Sequence, residues 1–116
     1  MYLMVLVLNK TEHLEEILEN LYEIGINGAT VIDSSGMGRT ICDHVPVVGG
    51  LRNLFNDCRP GNKTIFSVIK YEETINKALK VIESVTGDLN IAGKGIFFTL
   101  PLHQVKGYFS EVEDSE

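Results

Sequence analysis

Two apolar stripes at helical spacing constrain this chain more than any other feature. Leu14, Ile17, Leu18, Leu21 and Ile24 form the first, and Ile75, Ala78, Leu79, Ile82 and Val85 form the second. Apolar side chains spaced by three and four residues fall on one side of an α-helix, and that side has to be buried. Each stripe lies between short runs of strand composition. Tyr2 to Leu8 precedes the first and Ala29 to Asp33 follows it, while Ile65 to Ile69 precedes the second and Gly95 to Leu102 follows it. The pattern is strand, helix, strand, long connection, strand, helix, strand.

Local signals agree with these boundaries. Thr11 is placed to cap the first helix, Glu12, Glu15 and Glu16 sit where the positive end of a helix dipole favours them, and Gly25 supplies a stop. The second helix ends near Thr86-Gly87, and Pro101 closes the last strand. Tyr2 to Leu8 is almost wholly apolar, as expected of a strand covered on both faces in the middle of a sheet. The run is too short to span a bilayer and lacks the basic flank and small-residue site of a cleaved leader. The expected fold is α+β, a ferredoxin-like βαββαβ domain over residues 1–110 followed by an acidic tail at 111–116. A chain of 116 residues can form one such domain without staples. Both helices then cover one face of an antiparallel sheet, and self-association is a natural cover for the other.

Between the second and third strands the chain changes character. Met37 to Lys63 holds four glycines, two prolines and no sustained period, which reads as a long mobile or functional loop. Its apolar tip, with Val45, Val47, Leu51, Leu54 and Phe55, either meets a partner protein or folds back on its own subunit. Cys42 and Cys58 lie in this segment beside Asp43 and His44. They read as unpaired loop thiols, with a metal site or a redox clasp as alternatives; the ligand spacing assigns no metal. Two cysteines make no disulfide framework, and the expected compartment is the cytoplasm. A net charge of −6 argues against nucleic acid as a partner. No Ser-His-Asp order, paired histidine ligands or convincing carboxylate pair points to catalysis, so no catalytic residue is assigned and an enzyme is not expected.

Two glycine-bearing segments carry the binding chemistry. In Gly36-Met37-Gly38-Arg39 the glycines let backbone approach a ligand and the guanidinium can pair with phosphate, although a plain turn with an exposed arginine has the same composition. In Thr86 to Gly95 the amides can form an anion-binding nest around Lys94, or the segment is a flexible connector. It is not a P-loop, because Lys94 follows a helix and opens a strand, with Gly95 rather than Ser or Thr next.

Taken together, these segments resemble a known family. Glu23-Ile24-Gly25-Ile26-Asn27-Gly28-Ala29-Thr30-Val31-Ile32-Asp33 followed by Gly36-Met37-Gly38-Arg39 looks like the second-strand region of PII signalling proteins. Thr86-Gly87 to Gly93-Lys94-Gly95-Ile96-Phe97 looks like their B-loop, and the element order agrees over most of the chain. The resemblance implies a homotrimer that holds an adenine nucleotide (ATP, ADP, AMP or a cyclic nucleotide) as an effector in clefts between subunits. It also implies a long T-loop, here 37–63, that regulates a target protein. A membrane transporter is among the candidate targets, without membrane insertion of this chain. Position by position, Thr30 and Val68 would lie near adenine and ribose, and Gly36, Met37, Gly38 and Arg39 would approach from the base of the T-loop. Gly87, Gly93 and Lys94 would surround the phosphates, with Lys106 in place of a basic residue after the last strand. The chain also departs from the family. Thr40 stands where a glutamine serves magnesium and 2-oxoglutarate, no tyrosine lies between Thr40 and Lys63, and Asp88 stands where lysine is common. The alternatives are a CutA-like trimeric metal-binding protein, which shares the broad architecture, and an adaptor module without a small-molecule ligand.

Overall fold

The computed structural model of the chain describes residues 1–44 and 61–108. In chain order these form β1 (Tyr2–Leu8), α1 (Leu14–Glu23), β2 (Ala29–Ser34), α2 (Met37–His44), β3 (Asn62–Ile69), α3 (Glu72–Thr86) and β4 (Gly95–Pro101). The four strands make one sheet in the order β2-β3-β1-β4, antiparallel at every step. This is the expected ferredoxin-like βαββαβ arrangement with one helix added after β2.

β1 is central because its alternation serves two faces at once. Met4, Leu6 and Leu8 are fully buried together with Ile65 of β3, Ile17 and Leu21 of α1, and Ala78 and Ile82 of α3. Each of the larger side chains, Ala78 apart, contributes about 1.5–3 kcal/mol by leaving water, so this face holds most of the stabilising area. α1 stops where Gly25 takes φ 97°, with Gly25 N–H donating to Tyr22 O and Ile26 N–H to Leu21 O. This pair of bonds satisfies the last carbonyls of the helix, and buried Ile26 joins the core beyond it.

On the opposite face, Val5 lies in register with Phe66 on one side and Phe98 on the other. Among the described residues no helix covers this face, and Ile32, Ile96, Phe98 and Leu100 keep 46%, 55%, 41% and 42% of their surface exposed.

Three local expectations are corrected. Thr11 does not cap α1. Thr11–His13 form a 3-10 turn ahead of it, and the residue at the helix boundary, His13, makes no side-chain cap bond. The segment beginning at Met37 is not loop at its ends, because Met37–His44 is helical and β3 already starts at Asn62. Gly36 O accepts both Thr40 N–H and Thr40 Oγ1–H at 3.1 Å, which closes a helical turn across residues whose propensity argues against one. Asn62, Lys63 and Thr64 are polar, yet they extend β3 because Ser34, Asp33 and Ile32 pair with them across the sheet. The third correction is at Cys42, which is disulfide-bonded rather than a free thiol. The chain's other cysteine is Cys58. The tip residues Val45, Val47, Leu51, Leu54 and Phe55 and the acidic tail lie outside the described residues.

Candidate functional site

Antiparallel pairing gathers four chain segments at one end of the sheet. Leu8 is opposite Lys63 and Gly95, and Ser34 is opposite Asn62. The ends of β1 and β2 therefore meet the starts of β3 and β4. The two glycine segments singled out in the sequence leave the sheet at this same end.

At the β2–β3 corner, Ser34 Oγ lies 2.7 Å from Thr64 Oγ1 and also hydrogen-bonds the Asn62 side chain. Lys63 Nζ forms an ion pair with Asp33. Gly61 is fixed by close approach: a Cβ there would stand 2.6 Å from Ser34 O and 2.9 Å from Arg39 Nη1. Thr11, Ser34, Arg39, Gly61 and Lys63 bound an open polar cleft of about 320 Å³. A second cleft of about 490 Å³ runs alongside, bounded by Asn9, Lys10, Thr11, Gly61 and Gly93. Thr11 and Gly61 line both, which joins them into one polar trench.

The α3–β4 loop forms the far wall of that trench. Asn9 fastens it to the end of β1, donating from its backbone N–H to Lys94 O and from Nδ2 to Gly93 O, both at 3.2 Å. Gly87 (φ 81°) ends α3. The Lys94 side chain folds back across the loop so that its ammonium sits where a Cβ on Gly87 would be. Among the described residues, Lys94 makes no ion pair. The positive φ at Gly87 favours glycine, and a side chain there would displace the Lys94 ammonium.

The structure brings Gly87, Gly93 and Lys94 into one loop and sets Arg39 across the trench from it. Gly36 opens α2, Gly38 and Arg39 lie within it, and Met37 projects into solvent with 76% of its surface exposed. Thr30 and Val68 are elsewhere, on the uncovered face: Thr30 pairs with Phe66, and Val68 lies two residues further along β3. Lys106 follows β4, which leaves Lys94 and Lys106 at opposite ends of that strand. Sequence reasoning missed Asn9, Lys10, Thr11, Gly61 and Lys63 as trench residues. Their roles depend on register, which no local composition carries. Glu83 was also missed, although an acidic residue in the last turn of a helix opposes the dipole and so signals a local partner. Its carboxylate accepts Leu89 N–H at 2.9 Å.

No group of three or more His, Cys, Asp or Glu side chains suited to a metal occurs among the described residues. No helix among them is long and apolar enough to cross a membrane.

The fold and this end-of-sheet trench define an α+β protein of ferredoxin-like architecture. More narrowly, the fold is PII-like. The crystal structure of Arabidopsis thaliana PII bound to citrate matches it with a TM-score of 0.57, covering 87% of this chain and 76% of that one at 19% sequence identity. No protein-family model matches the sequence, and no curated protein matches it.

Proposed function

We propose that this protein is a cytoplasmic, PII-like regulator that binds an adenine nucleotide as an effector and performs no chemistry of its own. The observation that carries the reading is the placement of the Lys94 ammonium over Gly87, in a loop anchored by Asn9 and facing Arg39 across a polar trench. A cation held beside backbone without a Cβ is an arrangement suited to phosphate. The similar Arabidopsis protein is described as citrate-bound, so its fold accommodates a small polyanion.

Thr30 and Val68 lie on the uncovered apolar face, away from the trench of their own subunit. Under this reading they contribute to adenine binding where a second copy meets that face. The assembly is a homotrimer, and Lys106 reaches a cleft from the neighbouring subunit. Segment 37–63 then carries the response to a target protein, because a ligand that favours one arrangement of the α2 base favours or excludes a partner by reciprocal coupling.

Calorimetric titration tests this reading. Purified protein is titrated with ATP, ADP, AMP, cyclic AMP and cyclic di-AMP, with citrate and 2-oxoglutarate as further ligands, and the series is repeated on Arg39→Ala and Lys94→Ala. Saturable nucleotide binding that weakens by about tenfold or more in each variant is expected, since each removes one charged contact to phosphate worth about 1.5–3 kcal/mol. A folded oligomer that binds no nucleotide sinks the reading in favour of an adaptor module. The CutA-like metal alternative is weakened by Cys42, whose sulfur is held in a disulfide and is not a thiolate ligand.

A further inference from the structure

We infer that the α3–β4 loop selects a nucleotide carrying a single phosphate over one carrying three, an inference that rests on the regulator reading above. Three consecutive amides at the tip of this loop are already engaged. Leu89 N–H donates to Glu83 Oε2 at 2.9 Å, Asn90 N–H to Asp88 Oδ1 at 2.9 Å, and Ile91 N–H to Asp88 O at 3.1 Å. A row of unengaged backbone N–H groups is what lets a glycine loop bind an extended phosphate chain. Here two of the three amides are turned onto carboxylates of the chain itself and the third onto the Asp88 carbonyl, acceptors that take the place an anion would occupy.

A triphosphate laid along the loop would have to displace Glu83 and Asp88 and then remain beside their negative charges. The cationic end is short by comparison. Lys94 lies over Gly87, Lys10 lines the adjoining cleft beside the carboxylate of Glu12, and Arg39 lines the neighbouring one. Across the trench the charge of Lys63 is offset by Asp33. One phosphate group brings less negative charge to Glu83 and Asp88 than three do, so the repulsion that opposes a triphosphate is smaller for it.

The test is titration of the full-length protein in magnesium-free buffer with AMP, cyclic AMP and ATP, compared with a Glu83→Gln, Asp88→Asn double variant. Both substitutions keep an acceptor oxygen for the loop amides while removing the charges, so the loop fold is retained. Circular dichroism and thermal melting verify this. The wild type is expected to bind AMP or cyclic AMP at least about tenfold more tightly than ATP, and the double variant to narrow that ratio by about tenfold, mainly by gaining ATP affinity. A wild type that prefers ATP, or a ratio unchanged in the double variant, overturns the selectivity while leaving nucleotide sensing intact. Absence of binding by all three nucleotides overturns both.

Discussion

The two faces of the sheet are made from the same strands with nearly the same apolar content, yet they behave as different materials. On one face Met4, Leu6, Leu8 and Ile65 are sealed by α1 and α3. On the other, Val5 alone is shielded, at 4% exposure, among residues such as Ile96 and Phe98 that remain open. A two-layer domain of this size has only enough helix to cover one side, and among the described residues the second apolar side is left open. Composition cannot distinguish the two faces; only the period-2 alternation and the side taken by the helices do so.

Substitutions on each face sharpen this contrast. The largest effect is expected at Leu6→Ala, which empties a fully buried position and should lower unfolding free energy by about 2–5 kcal/mol in chemical denaturation. A loss below about 1 kcal/mol would mean that the helix-covered face is not the core. At Phe98→Lys the subunit should change by only about 0.5 kcal/mol in intrinsic stability, as exposed positions do. Its mass by light scattering should nevertheless fall from trimer to monomer. An unchanged trimer would show that something other than this face joins the copies. The smallest effect belongs to Asp33→Asn, at the rim of the covered face. Asp33 is 84% exposed and its Lys63 partner 31%, so loss of the ion pair should cost about 0–1 kcal/mol and vanish in high salt.

The elements that announced themselves in the sequence are those whose burial imposes a period. β1, α1, α3 and β4 have an uninterrupted apolar run or a helical stripe, and each appears close to where the pattern puts it. α2 and the start of β3 did not announce themselves. Gly38 and Thr40 are poor helix formers, and Asn62, Lys63 and Thr64 owe their strand conformation to partners 28 to 32 residues away across the β2–β3 ladder. The site divides in the same way. Gly87 and Lys94 were legible because they share a short loop. The trench they face was not, since Lys10, Thr11 and Gly61 enter it through strand register alone. Cys42 marks another limit: whether a cysteine is bonded depends on geometry that spacing does not reveal. Once Cys42 is bonded, the assignment to a reducing compartment rests on the proposed function rather than on cysteine count.

The strand order has a consequence in time as well as in space. β1 is the first of the sheet's four strands to leave the ribosome, yet both of its neighbours, β3 and β4, come later in the chain than β2. Its backbone stays unpaired until Lys63 and the residues after it have been made, and its last neighbour arrives only with Gly95 to Pro101. During that interval Tyr2 to Leu8 is an apolar, hydrogen-bond-hungry segment on a nascent chain, the kind of species that aggregates or recruits a chaperone. Ladders closed over such long sequence separations also slow the search for the native state. A chain of this topology therefore commits to its fold late, and the residues most deeply buried at the end of folding are those exposed longest on the way.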